Sequence, residues 1–386
     1  AEMDLFVPSL PEVMRYFDTT EQIIQWTFSF NFLGFFVSSL FCGALSDTYG
    51  RRVVLLTGTA LFVLGSFLTV AATQIEFFLL GRFIQGVGVS APAVVTMAII
   101  ADLYQGVSFV RWTSLLNSLV TTTMALAPMA GAYLAHYYGW RSNFSVIAAL
   151  AALGFILILF LVPETLPRKQ RKQFDGRLII SDYKRLLLSK KFMTPMLGMC
   201  FLIAPYFVFV GIVSLLFINE LKLSMQEYVY YQGSIVAVFA LFSLIVSIFG
   251  ARLNLDRLLR GSMVICGLCS LSLLLHGLFL EDSALSLTIL MCFFAVGCVV
   301  PCTVLYMRAI SVYPSLQGSS AALFQSTRML MLSIGTAISG LTYNGFYKPI
   351  GVITAVGVFT AIILIRPLLK EKTNAEDLSR LAQAGH

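Results

Sequence analysis

Charge is scarce in this sequence. Of its 386 residues only 12% are Asp, Glu, Lys or Arg, about half the ~25% of an average soluble domain. So little charge cannot cover two or three water-soluble globules, which is what a chain of this length would otherwise hold. Histidine occurs three times. There is no paired His cluster, no nucleophile motif and no soluble catalytic segment, so an enzyme is not expected. No G-x-x-x-x-G-K-[ST] phosphate loop occurs, which argues against work driven by ATP. The seven cysteines (Cys42, Cys200, Cys266, Cys269, Cys292, Cys298 and Cys302) all fall in apolar runs. They read as small buried hydrophobes rather than a disulfide framework or a zinc site. Cys266-x-x-Cys269 has a metal-like spacing but no His or acidic neighbour; neither a metal nor an organic cofactor is expected.

What the chain has in excess is apolar surface. Hydrophobic residues make up 58% and the mean hydropathy is +0.86, which implies an all-α membrane protein that crosses the bilayer many times. Windows of about 20 apolar residues give eleven complete spans, near 22–45, 53–73, 77–100, 111–136, 142–162, 192–219, 226–250, 261–280, 284–307, 318–343 and 349–368. Ahead of them Ala1 to Met14 is helix-like but too short to cross. The expectation is twelve transmembrane helices, with the numbered chain starting inside a truncated first one.

The net charge of +7 is explained by topology. With an N-terminus on the cytoplasmic side, the inner loops and tail hold twenty of the basic residues, among them Arg51, Arg52, Arg111, Arg308 and nine in the 163–191 loop. The outer loops hold Arg15, Arg141, Lys222 and Lys348. That bias places both termini inside and leaves no support for nucleic-acid binding. The basic segment 163–191 reads as a cytoplasmic, partly amphipathic linker attracted to anionic lipid. It separates six-helix halves, 1–162 and 192–368, with a cytoplasmic tail at 369–386. Six plus six is the layout of carriers with a site between two repeats at mid-membrane.

The loop after the second helix reads Gly43-Ala-Leu-Ser-Asp47-Thr-Tyr-Gly50-Arg51-Arg52. Gly43 suits close helix packing and Gly50 a tight turn. The fourth helix carries Leu79-Leu-Gly-Arg82-Phe-Ile-Gln85-Gly86, an arginine inside an apolar run that needs a partner or a wet cavity. Ahead of the spans stands Glu2-Met3-Asp4-Leu5-Phe6-Val7-Pro8-Ser9-Leu10-Pro11, and the fifth helix holds Pro128-Met-Ala-Gly131.

These segments resemble the major facilitator superfamily, and the first-helix acid followed by P-x-L-P resembles its bicyclomycin-resistance (Bcr/CflA) drug–proton antiporter branch. Gly139-Trp140-Arg141 and Pro163-Glu164-Thr165-Leu166 fit as well. The resemblance implies a conformational latch on the outward-facing state, made of Gly43, Asp47, Gly50, Arg51 and Arg52 with Asp102, in which Thr48 departs from the usual basic residue. It implies proton handling by Arg82 with a first-helix acid. Two positions apart, Glu2 and Asp4 point about 200° apart on a helix, so they form no tight pair. Asp4 is the reading preferred for the cavity and for contact with Arg82, with Glu2 as the alternative. Pro128 and Gly131 match the antiporter motif, whereas Thr123, Ala127 and Ala132 stand where it has glycines.

In the second half, Arg328 of Gln325-Ser-Thr-Arg328 lies deep in a span, and His276 reads as a satisfied polar group. Phe6, Gln85, Tyr206, Tyr231, Gln325 and Arg328 are the candidates for a substrate cavity suited to an apolar or weakly polar ligand. The expected function is proton-driven efflux of drug-like or amphipathic small molecules by a monomer in a bacterial inner membrane, with protons, substrate and lipid as partners. The alternative is a proton-coupled carrier of a specific metabolite or metal chelate, including an importer.

Overall fold

The computed structural model describes residues 2–104, 106–171, 173–249, 254–313 and 316–369. The expected tail beyond Leu369, with Lys370, Lys372 and Arg380, and Arg252 lie outside the described residues. The described chain is helical, without strands. The first span is a bent pair, α1 (Glu2–Phe6) and α2 (Leu10–Tyr16), joined by a 3-10 turn at Val7–Ser9. Pro8 and Pro11 lack amide donors, so the α-helical ladder cannot run through. Then come α3 (Glu21–Tyr49), α4 (Arg51–Ala71), α5 (Ile75–Leu103), α6 (Gly106–Tyr138), α7 (Trp140–Leu161) and the linker helix α8 (Gly176–Leu188). The second half holds α9 (Lys190–Ser214), α10 (Met225–Phe249), α11 (Leu255–Phe279), α12 (Ala284–Ser311), α13 (Gln317–Thr342) and α14 (Lys348–Ile365).

The helix ends follow local chemistry. Thr20 caps α3 by accepting from the Ile23 amide (3.4 Å), and Asn254 caps α11 by accepting from Arg257 (3.0 Å). Asp175 caps α8 through the amides of Arg177 and Leu178, as short polar side chains do at helix starts. Gly50, at φ +107°, turns the chain between α3 and α4 within one residue, a conformation that glycine adopts without strain.

Ten helices among the described residues are long and apolar enough to cross a membrane. Segment 318–343, counted as a span from sequence, is α13, which carries Gln325, Ser326, Thr327, Arg328, Ser333, Thr336 and Ser339. One face packs against α3 of the other half, where lipid does not select its composition, while Ile334, Ile338 and Leu341 are exposed. Ser29 and Thr336 hydroxyls bond at 2.8 Å, Ser39 and Ser326 at 2.7 Å, and Ser333 donates to the Ser29 carbonyl at 2.8 Å. Gln25 donates to the Gly211 carbonyl at 2.7 Å. This seam closes the halves against each other from mid-helix to the end opposite the basic loops. At the basic end they part around a cavity of about 730 Å³.

The linker helix α8 spans that opening. Tyr183 donates to the Leu40 carbonyl of α3 at 2.6 Å, while Asp182 accepts from Ser319 of α13 at 3.3 Å. Burial, and then the charge of Asp182, push the Tyr183 phenol up to about 12, so it remains a donor at neutral pH.

Within the first half α4 and α5 approach backbone to backbone. A Cβ on Gly65 would lie 2.6 Å from the Gln85 amide nitrogen. Gly65→Val should therefore force the helices apart and cost about 1–3 kcal/mol, read as a lower thermal unfolding midpoint in detergent. An unchanged midpoint would contradict this packing.

Candidate functional site

Arg82 lies seven residues into α5, roughly 10 Å along its axis, and its side chain is fully buried. A guanidinium there must be met by acceptors from neighbouring helices. It forms an ion pair with Glu2 of α1. It also donates to Gln85 (2.7 Å), to the Thr27 carbonyl of α3 (3.4 Å) and to the Met3 sulfur (3.0 Å). The Phe6 ring lies 4.4 Å from the guanidinium carbon. Asn31 of α3 donates to Glu2 at 3.3 Å, and Gln85 passes the chain of bonds on to Ser66 of α4 at 2.9 Å.

The preferred Asp4–Arg82 contact is thus corrected: Glu2 holds Arg82. The reason is helical phase. Phe6 stands four residues after Glu2, on the same face, and its ring is fixed under Arg82 and against Phe28 and Phe144, both at 5.3 Å. That anchors the face carrying Glu2 toward α5 and turns Asp4 about 200° away. Asp4 is buried too, and its charge acts on Tyr206 of α9 and Tyr228 of α10 in the other half. The spacing of Glu2 and Phe6 was the available sequence signal.

The second constellation closes the basic end of the first half. Arg51 of α4 pairs with Asp47 of α3 at 2.5 Å and with Asp102 of α5 at 3.1 Å. Its amide donates to Glu164 at 2.9 Å, Glu164 pairs with Arg171 at 3.3 Å, and Thr165 donates to Asp102 at 3.1 Å. Arg52 donates to the Leu159 carbonyl at 2.6 Å. Glu164, Thr165 and Arg171 were not foreseen as members, although Glu164 and Thr165 stand in the Pro163–Leu166 motif. Gly43 does not make the expected close helix contact: a Cβ there would meet nothing within 4 Å, because Gly43 faces the cavity. Gly131 does make one, since a Cβ would overlap the Leu5 carbonyl of α1. It brings α6 onto the helix that carries Glu2, beside the buried Pro128.

The cavity is lined by Gly43, Asp47 and Arg51 from one half, Tyr306 and Gln325 from the other, and Tyr183 from the linker. Phe6 and Gln85 are not part of its wall; both are consumed in the Arg82 cluster. Tyr206 stacks edge-on with Phe207 (5.5 Å) and Tyr231 with Phe217 (5.8 Å), away from this cavity. Arg328 lies one turn beyond Gln325 in α13. His276 was expected to be a satisfied polar group; its Nε2 bonds to Ser286 at 2.6 Å, while its buried Nδ1 has no partner among the described residues.

With this geometry established, the comparisons with known proteins are specific. The profile of the Major Facilitator Superfamily matches residues 1–336. This chain belongs to that superfamily. It is a multi-pass membrane protein, of a family of transporters and not of enzymes. The chain is 30% identical over 171 residues to the Multidrug resistance protein MdtL of Vibrio parahaemolyticus, covering 44% of this chain and 43% of that one. It is 24% identical over 276 residues to a Bicyclomycin resistance protein homolog of Haemophilus influenzae, covering 72% of this chain and 69% of that one. Its alignment with the Vibrio relative thus spans less than half of that protein. A solved D-xylose-proton symporter, 16% identical, shares the fold at a TM-score of 0.73 over 94% of this chain and 93% of that one.

The Glu2–Arg82 pair makes a quantitative expectation. Removing one member of a largely buried pair strands the other, so Glu2→Gln should cost about 2 kcal/mol or more of stability. Unfolding of the purified variant checks this; an unchanged unfolding midpoint would contradict the assignment of Glu2 to Arg82.

Proposed function

We propose that this superfamily member is a proton-coupled exporter of drug-like or amphipathic small molecules, working by alternating access in a bacterial inner membrane with its basic end in the cytoplasm. The observation that carries the reading is the buried Glu2–Arg82 pair, joined by Asn31 and Gln85 and backed by Phe6. A proton arriving on Glu2 removes the charge that holds α1 to α5 and leaves Arg82 seeking other acceptors, so protonation and helix position are coupled. The seam is closed at one end and the cavity lies at the other, which suits a carrier paused with its site toward the cytoplasm. The printed names of the Vibrio and Haemophilus relatives, multidrug and bicyclomycin resistance, favour export of foreign small molecules over uptake of a nutrient.

The test is transport in proteoliposomes under an imposed pH gradient, with counterflow as the energy-independent control. Glu2→Gln should abolish accumulation against a gradient while leaving counterflow partly intact, and Asp4→Asn should act more mildly. Uphill transport lost in Asp4→Asn but kept in Glu2→Gln would move the proton to the acid facing Tyr206. Full coupling in both variants would overturn proton coupling through the first helix.

The Arg51 network touches the cavity rim but binds its own half and the linker. Asp47→Asn is therefore expected to slow turnover several-fold while changing ligand affinity in detergent by less than about threefold, a shift in state populations and not in contacts. Loss of binding in well-folded protein would contradict a latch.

A further inference from the structure

Two arginines lie deep in this membrane domain, and they are treated oppositely. Every side of Arg82 is met by an acceptor or a ring. Arg328, eleven residues into α13 and near its middle, donates no hydrogen bond and joins no ion pair among the described residues, and its Nε is buried without an acceptor. The groups that feel its charge are the thiols of Cys200 on α9 and Cys302 on α12 and the phenol of Tyr306 on α12. None is a carboxylate, and thiols are weak acceptors. A guanidinium without a counter-charge at this depth is costly, and such residues mark ligand or ion pathways. The cost is tolerated where the missing partner comes and goes.

Arg328 does not itself line the cavity, but Tyr306 and Gln325 beside it both do. Gln325 lies one turn before Arg328 on α13, about 4.5 Å along the axis. The Tyr306 ring is held edge-on against the buried Phe324 at 5.0 Å, which gives a flat apolar platform beside the cation.

We propose that Arg328 is the docking point for an anionic group of the transported molecule, a carboxylate on an aromatic or otherwise flat scaffold resting on Tyr306. The substrate range then includes organic anions or zwitterions. This rests on the carrier reading above and deepens it by naming a charge class.

The test is binding of 2-naphthoate and of its uncharged methyl ester to the purified full chain, followed by ligand fluorescence. The variants are Arg328→Gln and Arg328→Lys. Wild type is expected to bind the carboxylate, Arg328→Gln to bind it at least about tenfold more weakly, as for loss of a charged hydrogen bond, and Arg328→Lys to recover part of the loss. The ester should bind all three within about twofold, which also reports that the variants are folded. If Arg328→Gln does not fold, Arg328→Lys carries the comparison, since a point charge replaces the bidentate fork and should weaken the carboxylate selectively. Equal binding of the carboxylate by wild type and Arg328→Gln, or no binding by wild type, overturns the proposal. A separate titration with sodium chloride distinguishes the sources of the anion: stabilisation of wild type by chloride alone, lost in Arg328→Gln, with 2-naphthoate adding nothing, would assign the site to an inorganic ion and overturn the substrate role. Counterflow of both compounds is then measured in proteoliposomes. Failure of both to move in wild type would count against the carrier reading, whatever the binding result.

Discussion

A guanidinium removed from water has to find its acceptors inside the protein, and the first half of this molecule is arranged around that requirement at Arg82. Its partners come from α1, α3 and α5, and Gln85 extends the set to α4 through Ser66. Each partner fixes a helix rotation: Glu2 and Phe6 set the phase of α1, and Gly131 lets α6 close over Leu5. The cluster therefore does two jobs with the same atoms. It satisfies a charge that would be prohibitive if left alone, and it fixes the first helix against α3 and α5.

The interface between the halves obeys a different rule. Apolar contacts such as Phe32 against Phe207 at 5.9 Å cross it, and the proposed alternating access asks that its polar bonds be ones that can open. The α3–α13 seam uses hydroxyls and small residues: Ser29 with Thr336, Ser39 with Ser326, and Gly340 beside Gln25. Such bonds are individually weak and have equivalents in water once the surface is wet. That explains why α13 is less apolar than its neighbours. It also explains why the charged network of Asp47, Arg51, Asp102 and Glu164 is kept within one half and its linker, where it can hold a local geometry without locking the two halves.

The linker is more than a tether. Asp175 caps α8, and Tyr183 and Asp182 then contact α3 and α13 respectively. The amphipathic pattern in 163–191 promised a helix at the lipid surface. It did not indicate that a face with Leu178, Ile179, Asp182 and Tyr183 would line the cavity mouth, because both environments reward the same alternation of polar and apolar residues.

Much of this molecule was legible in its residues one window at a time. Low charge and long apolar runs required helices through a bilayer, because backbone groups in lipid have to bond within their own segment. The basic linker divided the chain, Gly50 marked its turn, and the pairing of Asp47 and Arg51 with Asp102 was implied by the family resemblance that a ten-residue pattern carries. What sequence left open depended on rotation and depth, which no local pattern encodes. Glu2 and Asp4 are equivalent acids in one dimension; only the packing of Phe6 between Phe28, Phe144 and Arg82 decides which of them meets the guanidinium. Gln85 and Phe6 were legible as polar and aromatic but not as spoken for. Arg82 and Arg328 look alike as single cations in apolar helices, and the difference between them, one fully partnered and one without an acceptor for its buried Nε, arises because partners are supplied by other helices, at distances in sequence that only the tertiary structure brings together.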